Sequence, residues 1–196
     1  VGGSTGRIRI VAGGVWSAGN TVFTATYTVL DGGADLTDIT IDVTGAQDAA
    51  GNLQQDYTAL PEFSIDTQNP IVDAVGVNDL VVSDADAGST FTVTVDFSET
   101  MNTAATPVLD FGGADAGSLT FTGGAWSNGD TTYTASYTVS DAGVDFDNIA
   151  IDVSGAEDMH GNLQVDYTAL PEFSIDTLNP TVAIVLDDTA LKIGDT

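Results

Sequence analysis

The chain has 196 residues, with 29 acidic side chains, three basic ones, one histidine, no cysteine and a formal net charge of −26. Such a surface repels nucleic acid and anionic membranes, whose recognition needs clustered Lys and Arg. The lack of cysteine removes disulfides, thiolate metal sites and thiol nucleophiles. Apolar residues make up 42% of the chain and alternate with polar ones, so the charge does not signal disorder, and no apolar run approaches the ~20 residues of a membrane helix.

In chain order, residues 13–70 (GGVWSAGN…SIDTQNP) recur without a gap as residues 123–180 (GGAWSNGD…SIDTLNP). The period is 110 residues, about two-thirds of the aligned positions are identical, and DYTALPEFSIDT stands at both 56–67 and 166–177. Residues 71–180 therefore form one complete unit. Residues 1–70 are the later part of a preceding unit without its first 40 residues, and residues 181–196 are the first 16 of a following one. No signal segment is read, and the expectation is a stretch of a longer tandem array. A sharper alternative is strand addition, in which a tail from one chain completes the front of the next.

Within the complete unit, short strands are expected at 71–77 and 107–111. Longer ones carry a clear period of two. Phe91, Val93, Val95 and Phe97 alternate with Thr and Asp, and Leu119 and Phe121 with Thr. Tyr133, Ala135, Tyr137 and Val139 alternate with Thr and Ser; Ile149, Ile151 and Val153 with Ala150 and Asp152; Phe173 and Ile175 with Ser and Asp. Alternation of this kind puts one strand face in a core and the other in water. About seven strands parted by Gly, Asn and Asp turns, with no 3.6-residue period, predict an all-β fold: tandem antiparallel β-sandwich repeats, Ig-like in size and strand count.

Residues 71–180 hold 18 carboxylates and no Lys or Arg. No Lys or Arg salt bridge can form inside the unit, so neutralisation falls to solvent cations or protons. An oxygen-rich, sulfur-free and nearly histidine-free donor set selects a hard cation, with Ca²⁺ the leading candidate. In a sandwich of Ig topology, the loops around Glu99 and around residues 157–162 lie at the pole that meets the incoming linker. That linker holds Asp66 and Asn69, and its proline, Pro70, cannot continue a strand ladder. Asp66, Glu99 and Asp158 are thus expected to converge on one cation, with Asn69 and Asn162 beside them. Asp48 and Asn52 repeat the roles of Asp158 and Asn162 in the first unit, and Asp176 offers the outgoing half of a further site. For all of these, turn capping and a solvated surface are the plainer alternative. The groups Asp84/Asp86 and Asp141/Asp145/Asp147 are read chiefly as polar turns, and His160 as a surface loop residue. Trp16 and Trp126 are read as hairpin packing, and Tyr57 and Tyr167 as pins for the long loop. One histidine and no cysteine leave no activated nucleophile, so an enzyme is not expected.

FSETM after a strand, then GGAWSNGD, a D-x-x-G-N loop and FSIDTxNP together resemble the bacterial Ig-like repeats of giant surface adhesins, including the extender regions of RTX-type biofilm and ice-binding adhesins. The resemblance implies long extracellular rods at the cell surface, with Ca²⁺ at Asp66, Glu99 and Asp158 stiffening one junction and Asp176 serving the next. It implies neighbouring repeats of the same chain or filament as partners, and a surface or glycan ligand held by other domains. Two further readings stand beside the extender: a subunit of a surface filament or surface layer assembling head to tail, and a glycan- or surface-binding module. The 110-residue period and the long stretch at 163–172 before the last strand depart from the family pattern.

Overall fold

A computed structural model describes residues 8–10, 13–114, 117–185 and 193; most of the expected start of a third unit, along with residues 1–7, lies outside the described residues. The first unit contributes β1 (Ile8–Ile10), β2 (Val15–Ser17), β3 (Val22–Thr24), β4 (Tyr27–Val29), β5 (Asp35–Thr40) and β6 (Pro61–Asp66). The second contributes β7 (Val72–Val77), β8 (Val81–Ser83), β9 (Thr90–Phe97), β10 (Val108–Asp110), β11 (Leu119–Ser127), β12 (Thr132–Val139), β13 (Asp145–Ala150), β14 (Asp152–Ser154) and β15 (Pro171–Asp176). The chain is nearly all β, and a single 3-10 turn, Asp84–Asp86, is the helical element among the described residues.

In the second unit the order β11-β12-β9-β7 forms one antiparallel sheet, while β13-β15-β8 and the ribbon β10-β14 supply the strands packed against it. One core joins them. Phe91, Val93, Val95 and Phe97 of β9 and Tyr133, Ala135, Tyr137 and Val139 of β12 are all buried against Ile149, Ile151, Val153, Phe173 and Ile175. The ring of Phe91 lies 4.8 Å from that of Phe173, and Phe111 meets both Tyr137 and Phe173 edge-on. Inward and outward residues alternate along β9 and β12 as the period of two dictates.

Three features differ from the sequence expectation. The pairing is not wholly antiparallel, because β8 runs parallel to β15 through Val82 and Ile175; β8 has only three residues, too few to register as a periodic signal. The run Ile149–Ile151–Val153 is not one strand. Ile149 pairs with Phe173 of β15, whereas Val153 pairs with Leu109 of β10, and Ile151 between them is fully buried. Alternation specifies which side chains face the core, not which strand lies alongside, so the chain changes partner with its inward face unchanged. Finally, β11 runs on to Ser127 through a bulge between Phe121 and Gly123. Beyond that bulge Tyr133 lies across Gly124, where any Cβ would overlap the phenol ring, and Phe23 covers Gly14 in the same way in the first unit.

The first unit repeats these ribbons without the cover. Its described pairings are β1-β4, β2-β3 and β5-β6, and Ala34 and Ile65 are the apolar side chains it buries among the described residues. The linker that follows is bound to the second unit. Pro70 is buried, its carbonyl accepts a 2.8 Å bond from the Val165 N–H, and Ile71 exchanges hydrogen bonds with Ser98 through backbone and side chain. At the outgoing end Pro180 is exposed.

Candidate functional site

The loop Asp158-Met159-His160-Gly161-Asn162 is built by its own aspartate. Asp158 Oδ1 accepts the backbone N–H groups of His160 (2.7 Å) and Asn162 (2.9 Å), and Oδ2 accepts Asn162 Nδ2 at 2.7 Å. Gly161 takes φ +86°, a left-handed conformation that admits glycine freely, and its N–H donates to the Asp158 carbonyl. The first unit has the same loop. Asp48 Oδ1 accepts from Ala50 and Asn52, Oδ2 accepts Asn52 Nδ2 at 2.8 Å, and Gly51 has φ +85°. The D-x-x-G-N conformation is therefore encoded locally, by hydrogen bonds within the loop that recur in both units.

What differs is the surroundings. Asp48 is exposed, whereas Asp158 is buried beneath the end of β6. Asp66, the last residue of β6, brings its Oδ2 to 2.9 Å from His160 Nδ1, while its Oδ1 caps the N–H of Gln68 and receives a long 3.4 Å contact from Asn162 Nδ2. Asp66, Asp158 and His160 each offer a ligand atom, and these atoms lie within 4.8 Å of one another, a grouping able to hold a metal ion. An ionised carboxylate has about four lone-pair positions. Asp158 uses three on its loop, which leaves one on Oδ2.

Glu99 lies in the loop after β9, near enough for the charges of Asp158, Asp66 and Asp35 to act on it. Met101, two residues on, bridges to Asp158, and Glu99 Oε1 is shut off from solvent without a hydrogen-bond partner among the described residues. Burial, followed by the charges of Asp158, Asp66 and Asp35, pushes the Glu99 carboxyl above its ordinary range, with His160 pulling the other way. Asp158 moves in the opposite direction. Burial would raise it, but the Asn162 side chain and the loop N–H groups hold it below the usual carboxylate range. Asp66 and Asp158 bring carboxylate oxygens within 4.8 Å of each other, and two such charges repel by roughly 3 kcal/mol at an effective dielectric near 20. Residues 71–180 hold no Lys or Arg, so His160, 2.9 Å from Asp66, is the basic side chain at this cluster among the described residues.

The structure thus brings together Asp66, Asp158 and Asn162 of the expected set, with Glu99 near enough for their charges to act on its carboxyl. Asn69 stays on the exposed linker and makes no hydrogen bond to the cluster among the described residues. Asp48 serves its own loop, and Asp176 is exposed and caps the Leu178 N–H. Elsewhere Asp86 caps Ser83 and Asp141 caps Gly143, the plain turn roles expected of them. Two participants were not anticipated. His160 is exposed, at 63% of its side chain, yet it reaches Asp66; its repeat counterpart is Ala50, so repetition carried no signal for it. Asp35 faces Asp66 across the β5–β6 ladder, as Asp145 faces Asp176, and that recurrence was the available clue. Trp126 packs against Phe97 and Tyr133, the hairpin role expected. Tyr167 packs on the core, whereas Tyr57 is exposed and donates its hydroxyl to Glu62.

Fold and site together define an all-β chain of tandem units with a carboxylate–imidazole cluster, able to hold a metal ion, at the joint between them. Comparison with family models, with curated proteins and with solved structures gave no match. No helix among the described residues is long and apolar enough to cross a membrane.

Proposed function

We propose that this chain is a structural extender segment of a large extracellular adhesin, built of Ig-like repeats and stiffened where they meet by Ca²⁺ held by Asp66, Glu99 and Asp158. The observation that carries the reading is that Asp66 of one unit faces Asp158 and Glu99 of the next with no lysine or arginine to balance them. A cation there ties the end of β6 to the loop of the following unit, and it gains affinity only when both units are in place. Extracellular Ca²⁺ modules bind with Kd about 10⁻⁴–10⁻³ M, and at ~10 Kd one site adds only about 1.4 kcal/mol. Repeated along many joints, that suffices to hold a rod straight. Removing the ion leaves folded units on looser joints.

The imidazole supports a second reading of the ion. A nitrogen donor beside two or three carboxylates suits Mn²⁺ or Zn²⁺ better than an all-oxygen Ca²⁺ shell. Melting the metal-free chain against Ca²⁺, Mn²⁺, Zn²⁺, Mg²⁺ and Na⁺ decides between them. A Ca²⁺-selective rise at sub-millimolar to millimolar concentration, lost in Asp158→Asn, supports the extender reading. Selectivity for Mn²⁺ or Zn²⁺ that vanishes in His160→Ala supports the second, and an equal response to every salt at matched ionic strength reduces the site to charge screening. Small-angle scattering with and without chelator then reads the stiffness of the joint.

A further inference from the structure

The chain enters the second unit at β7 and leaves it at β15, and hydrogen bonds place these two ends at opposite poles of β12. At the entry pole Ile71 and Ser98 exchange hydrogen bonds, and the Phe97 N–H donates to the Thr131 carbonyl just before β12. At the exit pole the Gly88 N–H donates to the Val139 carbonyl at the end of β12. Val144, a few residues on, holds Thr177 at the end of β15. Tension along the chain therefore draws residues 72–83 toward one pole and the end of β15 toward the other.

That front segment is bonded into both layers. β7 pairs with β9 from Val72–Phe97 to Val77–Val93, and β8 pairs with β15 in the other layer. In the β8–β15 ladder Val81, Val82 and Ser83 stand beside Ser174, Ile175 and Asp176, and the Ser174 N–H donates to the Leu80 carbonyl at 3.0 Å. Because the pair is parallel, the incoming end of β8 and the outgoing end of β15 lie at opposite ends of the ladder. Pulling them apart slides one strand along the other, so its evenly spaced rungs share the load instead of failing one at a time.

Both ends of the ladder are anchored. The Val81 N–H donates to Asp79 Oδ1 at 3.1 Å, and the Ser83 N–H and hydroxyl both donate to Asp86 Oδ2 at 2.8 Å. The Thr177 N–H donates to the Val144 carbonyl at 2.7 Å, and its hydroxyl oxygen accepts the Val144 N–H at 3.1 Å. Val82 and Ile175 are fully buried, which keeps water from competing for the rungs. β13 is bonded to the other side of β15, so withdrawing β15 breaks two ladders at once.

We propose that residues 72–83 are the load-bearing lock of the unit. β7 on β9 and β8 on β15 carry tension in shear between the incoming linker and the outgoing strand, while β10, β11 and β14 lie off the path. The extender reading gives this lock a use, but the lock rests on the topology of the second unit alone and needs no ion at the joint.

The test stretches single molecules of the full chain in chelator between introduced cysteines, since the chain has none of its own. Asn69→Cys with Leu178→Cys loads the β8–β15 ladder in shear. Asp84→Cys with Leu178→Cys pulls the same ladder from one end, where Ser83 lies beside Asp176, and peels it. All three positions are exposed. The expected result is a clearly higher unfolding force for the first pair. Val82→Ala and Val153→Ala make the same deletion at two side chains that are each 1% exposed. Both should lower stability in urea, but only Val82→Ala should speed unfolding of the first pair at fixed force, by about tenfold, because its contacts break before the barrier is crossed. Equal forces in the two geometries overturn the proposal, as does any pattern other than acceleration confined to Val82→Ala. Should a variant fail to fold, the two geometries decide alone. Both attachment pairs lie beyond Asp66, so a failure here is distinct from a failure of the extender reading.

Discussion

Asp66 and His160 face each other across the joint between the two units, Oδ2 to Nδ1 at 2.9 Å. One closes the last strand of the first unit; the other lies in a loop of the second, held in place by Asp158. The contact links a strand end to a loop that its own sequence shapes, so it can be broken without unfolding either partner. His160→Ala should leave the melting of the second unit within about 0.5 kcal/mol, as for exposed substitutions away from a core. It should loosen the joint, which small-angle scattering reads as a broader distribution of inter-unit distances.

Asp158 carries more. It accepts three hydrogen bonds while buried, and Asn at this position points an amide at the Asn162 amide it now accepts. Asp158→Asn should destabilise the second unit by about 1.5–3 kcal/mol, the usual range for a bond to a charged acceptor, measured by urea unfolding. The same change at exposed Asp48 should cost clearly less.

Acid should act in two stages on the metal-free chain. The Glu99 carboxyl is raised, first by burial and then by Asp158, Asp66 and Asp35, so the folded state favours its protonated form. Its contribution is present below its unfolded value of 4.5 and is lost as pH rises through the higher folded value. Asp158 is lowered, so its contribution is present above its unfolded 3.8 and is lost as pH falls through the lower folded value. Stability should therefore climb as pH is brought from 7 toward 4.5, then fall below 3.8. Thermal melts across that range check it, and a curve that falls steadily from neutrality would sink the assignment.

Glu99→Gln separates the two ways of neutralising the site. Without metal the variant should melt higher than the parent at pH 7, because a buried charge among like charges is gone. With saturating metal the order should reverse, since the variant lacks a ligand of the proposed site. Paired melts with and without chelator give the sign directly.

Repeat counterparts also permit matched tests of packing and backbone. Ile151 is fully buried and Ile41 is 38% exposed, so Ile151→Ala should cost about 2–5 kcal/mol and Ile41→Ala distinctly less. Ala18 is held at φ +50° where its counterpart Asn128 has φ +54°. Asparagine tolerates the left-handed region better than alanine, so Ala18→Asn should stabilise the first hairpin by roughly 0.5–1 kcal/mol. Site-resolved hydrogen exchange distinguishes these local effects.

The amino-acid sequence by itself determined the strands, the repeat and the D-x-x-G-N loop. Each is a short-range pattern: Phe91 to Phe97 alternate against water and core, and Asp158 captures N–H groups no more than four residues away. From the pole argument it also anticipated that Asp66 and Asp158 would meet, with Glu99 near them. Only the tertiary structure decided that β8 lies parallel to β15, that the chain changes sheets at Ile151, and that His160 and Asp35 join the site. Those outcomes depend on which strand lies beside which over separations such as the 94 positions between Asp66 and His160. A local period states which way a side chain faces and leaves open what it meets there.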